Sequence, residues 1–162
     1  VYLDQKLKPI QTETIINITN LILNVGINKA KFRATNQFIV NIQNAKDIYK
    51  LPALINYTHL ESNFTYAKVL KIYFGADVFF KSKYTADAYS PLLNQFYLQD
   101  DFKVWGVATV DPYISFQINK VRLAFKLIHA NQGLRYQGFY TSPYYLALPR
   151  SFALKVDWPI FD

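Results

Sequence analysis

The side chains of this chain that could carry out bond-making chemistry are few and scattered. His59 and His129 are its two histidines, they lie in different segments, and neither has a serine in a nucleophile-elbow context beside it. Cysteine is absent, so neither a thiol nucleophile nor a thiolate metal site can be built. No glycine-rich loop is present to cradle a phosphate. Asp87, Asp100 and Asp101 bring carboxylates together in segment 81–101, among Tyr84, Tyr89, Phe96 and Tyr97. Their spacing matches no calcium loop, and a tyrosine-rich loop has a plainer use as an anchor at a membrane interface. These features point away from an enzyme, a cofactor or a bound metal.

What remains is electrostatic. The formal net charge is +7, yet the bases do not gather in one groove or loop. They alternate with apolar residues, an arrangement that argues against nucleic acid, which needs a continuous basic track. The alternating polar positions include Lys31, Arg33, Lys71, Asp77, Lys81, Asp111, Arg122, Lys126, Lys155 and Asp157. If these line a water-filled passage, seven bases against three acids favour anions, because the sign of the wall charge sets ion preference. The alternative is a filled passage in which they pair with one another.

Alternation of this kind requires strands, since successive side chains of a strand point to opposite faces. In residues 29–43, Ala30, Phe32, Ala34, Phe38, Val40 and Ile42 share one face; Asn36 and Ile39 break the pattern. Residues 68–84 place Leu70, Ile72, Phe74, Ala76, Val78 and Phe80 together, and residues 150–162 do the same with Phe152, Leu154, Val156 and Trp158. Residues 110–119 and 121–130 read as a hairpin about Asn119 and Lys120, with Phe116 and Phe125 on the apolar side. Segment 11–26 is strand-like but switches its apolar face near Thr19 and Asn20, as at a bulge, and segment 51–66 mixes its faces.

The reading is therefore all-β, with about seven strands in one domain spanning 1–162. Aromatic residues make up 17% of the chain and charged residues 18%, below the roughly 25% usual for a soluble domain. No apolar run is long enough for a helical span, so a membrane protein of this composition has to be a barrel. Short connections near Ile27 and Asn28, 65–67, and Asn119 and Lys120 alternate with long ones at 44–50, 85–109 and 131–149. Outer-membrane barrels show that asymmetry, with tight periplasmic turns and long outer loops. The expected fold is an antiparallel transmembrane β-barrel with Phe32, Phe38, Leu70, Phe74, Phe80, Phe116, Phe125, Phe152 and Trp158 toward lipid. Single-chain bacterial barrels have an even strand count and begin and end on the periplasmic side. Seven strands ending there imply at least one more at the N-terminal side, and hence part of a larger barrel.

A set of short motifs bears on this expectation. Gly75-Ala76-Asp77-Val78, the run Tyr84 to Pro91, Gln95 to Gln99, and Val110-Asp111-Pro112-Tyr113 are followed by His129 to Gly133, Ser142-Pro143-Tyr144-Tyr145, Pro149-Arg150, and Trp158 to Asp162. In order and spacing these resemble the C-terminal end of the "putative porin" family of Bacteroidota-type outer-membrane barrels. The resemblance implies a large barrel in the bacterial outer membrane, and a chain that is one portion of it. It also implies that Trp158 and Phe161 belong to the C-terminal signal read by the barrel assembly machinery. The expected function is passive diffusion of small solutes through a positively biased pore. The competing readings are a non-conducting subunit of a larger outer-membrane complex, and a soluble lipocalin-like barrel with Phe32, Phe38, Phe74 and Phe80 turned inward around a ligand.

Overall fold

The structure, a computed structural model, describes residues 2–13, 15–134 and 140–159. Seven long strands carry it: β1 Ile18–Lys29, β2 Phe32–Gln43, β3 Leu54–Tyr66, β4 Leu70–Lys81, β5 Ala108–Ile118, β6 Val121–Ile128 and β7 Ser151–Asp157. Each pairs antiparallel with its neighbour in sequence, so the sheet is a simple meander in chain order from β1 to β7. Antiparallel neighbours need only a turn between them, and local pairing of this kind keeps loop-closure cost low. No helix occurs among the described residues. β1 and β7 form the two edges of the sheet and do not pair with each other.

Several boundaries differ from those expected from the sequence. The first hairpin turns at Ala30 and Lys31, because Lys29 pairs with Phe32, and not at Ile27 and Asn28. Gly26, Ile27 and Asn28 continue β1 because β2 offers them partners at Thr35, Ala34 and Arg33, and tertiary pairing overrides the turn propensity of Gly and Asn. β1 also starts only at Ile18, so the supposed face switch near Thr19 and Asn20 is the entry of a straight strand, with no bulge. The second tight connection is 67–69, not 65–67, because Thr65 and Tyr66 pair with Lys71 and Leu70; the pair Asn119 and Lys120 turns where expected.

At residues 67–69, Ala67 and Lys68 both have left-handed backbone (φ 48° and 62°), which costs an L-residue about 1 kcal/mol each. Ala67→Gly should relieve that strain, and we expect a stabilisation of about 0.5 kcal/mol after the entropy of glycine is subtracted, read as a higher urea midpoint. Asn119, at φ 50°, already is a residue type that tolerates this region.

Both irregularities of β2 are explained by what lies across from them. Ile39 falls on the polar face, but it pairs with Ile22 on β1 and Ile55 on β3, giving a row of three β-branched side chains. Asn36 falls on the apolar face, where it closes a ring of hydrogen bonds with its neighbours on β3. Its Nδ2 donates to Thr58 Oγ1 (2.5 Å), Thr58 Oγ1 donates to Asn56 Oδ1 (3.0 Å), and Asn56 Nδ2 donates to Asn36 Oδ1 (2.9 Å). Polar groups that satisfy one another are far cheaper to place against an apolar medium than single ones. The same register accounts for the mixed faces of β3: Asn56 and Thr58 belong to this ring, whereas Tyr57, His59 and Glu61 point to the opposite side.

The tightly buried apolar residues lie in the long connections. Ala86, Ala88 and Val104 are buried there, and Pro143 is fully enclosed. Short ladders tie these segments together: Ala88–Ser90 with Gln95–Tyr97, Tyr84–Thr85 with Lys103–Val104, and the N-terminal Tyr2–Leu3 with both Pro9–Ile10 and the 95–97 strand. They form a packed cap at the long-loop rim.

Candidate functional site: the charged face of the sheet

The ladder registers sort the sheet into two faces. On one lie Phe32, Phe38, Leu70, Phe74, Phe80, Phe116, Phe125 and Phe152, with Leu21, Leu23, Val25, Leu123 and Leu154. This face is uncovered: Leu21 is 56% exposed, Phe74 46%, Phe125 45% and Leu154 63%. On the other lie Arg33, Lys71, Asp77, Lys81, Asp111, Arg122, Lys126, Lys155 and Asp157, nine of the ten polar positions read from the sequence. Lys31 is the exception, because the revised turn removes it from β2. Trp158 stands one residue beyond the last rung of β7, and Phe161 lies outside the described residues.

The charged face also holds groups that the sequence reading passed over. Glu61 sits there by pairing with Arg33, and Tyr57 and His59 follow the same strand parity. With Lys31 gone and Glu61 added, the face carries Arg33, Lys71, Lys81, Arg122, Lys126 and Lys155 against Glu61, Asp77, Asp111 and Asp157. Its positive bias is thus smaller than seven against three.

Asp77 is the hub. It pairs directly opposite Asp111 across β4 and β5, an arrangement of like charges that is unfavourable by itself. Lys126 resolves it by reaching across β5, its Nζ 2.8 Å from Asp77 Oδ2 and 3.7 Å from Asp111 Oδ2. The other oxygen of Asp77 takes a hydrogen bond from Tyr57 OH (3.0 Å) and contacts His59 Nδ1 at 2.7 Å. Asp111 Oδ1 accepts the backbone N–H of His129 (2.9 Å), which docks the end of β6 onto β5. The hub therefore spans β3 to β6.

Beside it, Tyr113 lies across Gly75. The two residues pair between β5 and β4, Gly75 pairs onward with Glu61, and the Tyr113 hydroxyl donates to Glu61 Oε2 (2.7 Å). The Tyr113 ring stacks on His59 with centroids 6.0 Å apart. A side chain on residue 75 would occupy that path: an added Cβ would sit 2.1 Å from the Leu60 carbonyl oxygen and 2.8 Å from the Tyr113 hydroxyl. Glycine is thus required for a close crossing of a side chain over the backbone. Further along, Arg122 donates from Nε to Ser115 Oγ (2.8 Å) and lies over the Tyr73 ring at 4.9 Å. His59, Glu61, Asp77, Tyr113, Ser115, Arg122 and Lys126, with Lys155 and Asp157, line a concavity of about 470 Å³ on the charged face.

The acidic loop segment divides its carboxylates. Lys50, itself buried, donates to the Gln99 carbonyl and to Asp100, and Gln5 Nε2 donates to the other Asp100 oxygen (2.7 Å). Gln99 in turn donates to the Ala86 and Phe102 carbonyls and accepts from the Phe102 N–H. Asp87 has a buried Oδ1 without a hydrogen-bond partner among the described residues. No group of three or more His, Asp or Glu is placed to hold a metal ion among the described residues.

The two acids respond oppositely. The Lys50 hydrogen bond holds Asp100 below the ordinary carboxylate range, whereas burial pushes Asp87 above it, partly offset by the Lys50 charge. A depressed acid stabilises the fold above its unfolded pKa, and that contribution disappears as pH falls through the folded value. A raised acid stabilises below its unfolded pKa and loses that contribution as pH rises through the folded value. We expect Asp87→Asn to tighten the cap at neutral pH and Asp100→Asn to loosen it, with both differences fading in acid, as measured by amide exchange over residues 82–107.

Motif residues from the sequence find concrete duties here. Asn131 Oδ1 accepts from Val110 N (3.0 Å) and its Nδ2 donates to the Ala108 carbonyl (2.7 Å), extending β5. Ser142 Oγ donates to the Asp87 carbonyl (3.1 Å), and Arg150 donates to Gln132.

An antiparallel meander with one exposed apolar face and one charged face, and with tight turns on one rim and a packed loop cap on the other, has the build of a porin-type β-sheet. The chain belongs to the "putative porin" family, whose model matches residues 1–162. Family membership suggests a porin-like role in the outer membrane. No curated protein and no solved structure matches the chain.

Proposed function

We propose that the sheet is a sector of a bacterial outer-membrane β-barrel forming a passive channel, with its apolar face against lipid and its charged face toward water. The observation that carries this reading is the sorting of faces: the ladder registers place most of the large aliphatic and aromatic side chains on the uncovered side, with Phe79 and the row of Ile22, Ile39 and Ile55 as exceptions on the charged face. A soluble protein rarely leaves so wide an apolar surface open. β1 to β5 have 11 to 13 residues, enough for a tilted strand to cross a bilayer, which takes about 9–11. The exposed backbone of β1 and β7 could not be left unpaired in hydrocarbon, so closure with further strands follows from the same reading. The concavity on the charged face, rather than on the apolar one, disfavours a lipocalin-like cavity.

No chemical step is part of this function. Solutes would be sorted by size and by a weak preference for anions, six bases facing four acids. The test is conductance of the purified protein in planar bilayers under a salt gradient. Stepwise currents with a small anion-directed reversal potential are expected. A non-conducting barrel subunit is favoured by one observation, the mutual pairing of Asp77, Asp111, Lys126 and His59, which leaves less free charge at the wall. Inserted protein without currents would select it.

A further inference from the structure

The alternating meander brings the three tight turns to one rim, and each carries a lysine: Lys31 between β1 and β2, Lys68 between β3 and β4, and Lys120 between β5 and β6. Lys29 stands beside them on the last rung of the first hairpin, on the apolar side of the sheet. No carboxylate among the described residues lies within ion-pair distance of Lys29, Lys31 or Lys68. The acids Asp4, Glu13, Asp47, Asp87, Asp100 and Asp101 all fall in the segments of the opposite rim. That opposite rim mixes these acids with bases such as Lys6, Lys8, Lys46, Lys50, Lys83 and Lys103, whereas the three short turns hold lysine and no acid. Tyr66, 66% exposed, closes the apolar face at the end of β3, adjoining the Lys68 turn.

A lysine at the margin of an apolar face lays its aliphatic stem on hydrocarbon and carries its ammonium to the headgroups, and tyrosine favours the same level. Ammonium groups beside an anionic leaflet are attracted within about a Debye length, roughly 10 Å at 0.1 M salt. We propose that the short-turn rim is a docking surface for anionic phospholipid headgroups, engaged by Lys29, Lys31 and Lys68. This rests on the barrel reading, which puts that rim at a membrane surface. The rim selects the lipid leaflet by charge, while Tyr66 at its margin favours the headgroup level.

The test uses the full-length protein reconstituted in phosphatidylcholine bilayers, with spin-labelled phosphatidylglycerol or phosphatidylcholine as the probe. Flotation with vesicles after an alkaline wash first reports insertion, and its failure would count against the barrel reading itself. In inserted protein, phosphatidylglycerol should associate about threefold more strongly than phosphatidylcholine at low salt. The ratio should fall toward unity at about 1 M salt, where the screening length shrinks to about 3 Å. The variant carrying Lys29→Gln, Lys31→Gln and Lys68→Gln should lose the preference at low salt, whereas Lys6→Gln with Lys8→Gln at the other rim should keep it. Equal association of the two lipids with the inserted parent protein, or a preference that salt leaves intact, overturns the proposal without any variant having to fold. A preference retained by the triple variant overturns it as well.

Discussion

Gly75→Ala is expected to lower stability by about 3 kcal/mol or more, far beyond the same change at Gly26, the other glycine of the seven-stranded sheet. The clash is with backbone: the new Cβ would lie 2.1 Å from the Leu60 carbonyl oxygen, so β3 and β4 would have to separate where Leu60 pairs with Ala76. It would also displace the Tyr113 hydroxyl, 2.8 Å from the same point, and with it the hydrogen bond to Glu61. Gly26→Ala is the matched control. Its Cβ would meet Thr35 Cγ2 at 3.6 Å and the Ala34 carbonyl oxygen at 3.8 Å, ordinary contacts that predict a change within about 0.5 kcal/mol. Urea titration of the refolded protein in lipid vesicles, comparing both variants with the parent, measures the difference. Equal effects of the two substitutions would mean that the crossing of Tyr113 over Gly75 does not constrain the sheet.

Asp77→Ala should have the second-largest effect, and it should be seen in two readouts. The substitution strands Tyr57 and His59 and leaves Lys126 with Asp111 alone, 3.7 Å away. Losing hydrogen bonds to a partly buried charge costs about 2 kcal/mol. It also removes one of four acids from a face with six bases, so the reversal potential under a salt gradient should move further toward the anion limit. Lys126→Ala should shift selectivity the other way while exposing the repulsion between Asp77 and Asp111, which pair directly opposite each other. The opposite signs in selectivity, with destabilisation in both, separate a wall-charge effect from general loosening of the sheet. If neither substitution moves the reversal potential, the charged face does not border the conducting path.

Much of this organisation can be read from residue order alone, because a period of two leaves little freedom. Once Phe32, Phe38, Phe74, Phe80, Phe116, Phe125 and Phe152 are recognised as holding alternate positions in segments whose intervening residues are mostly polar or small, the face of each follows, and a one-residue slip would invert them all. The tight turn at Asn119 and Lys120 was equally visible, since asparagine suits left-handed backbone. The first turn was not. Gly26 and Asn28 have turn-forming character, whereas Ala30 and Lys31 have little, and only the pairing of β1 with β2 over twelve rungs decides between them.

β3 hid its contribution for a different reason. Its outer positions include Asn56, Thr58 and Ser62, so the contrast between faces is weak, and Glu61 and His59 could not be assigned until their partners Arg33 and Asp77 were known. Reading the odd positions alone, Ile55, Tyr57, His59, Glu61 and Asn63, would have exposed a polar stripe. The Asn36, Asn56 and Thr58 ring and the crossing of Tyr113 over Gly75 are relations between strands distant in sequence, for which no local pattern exists. The cap was legible only as a loop rich in aromatics; its buried Lys50 and the contrast between Asp87 and Asp100 depend on packing.

The central claim, that the apolar face meets lipid and the charged face meets water, is tested most directly by single-cysteine accessibility, which the chain favours because it contains no cysteine. Gln37→Cys and Lys155→Cys on the charged face should react readily with a water-soluble maleimide in the membrane-inserted protein. Phe38→Cys and Leu154→Cys, the adjacent positions on the same strands, should be protected and should be quenched instead by a lipid-borne label. The reverse pattern, with Phe38→Cys and Leu154→Cys reactive and the other two shielded, would contradict the account.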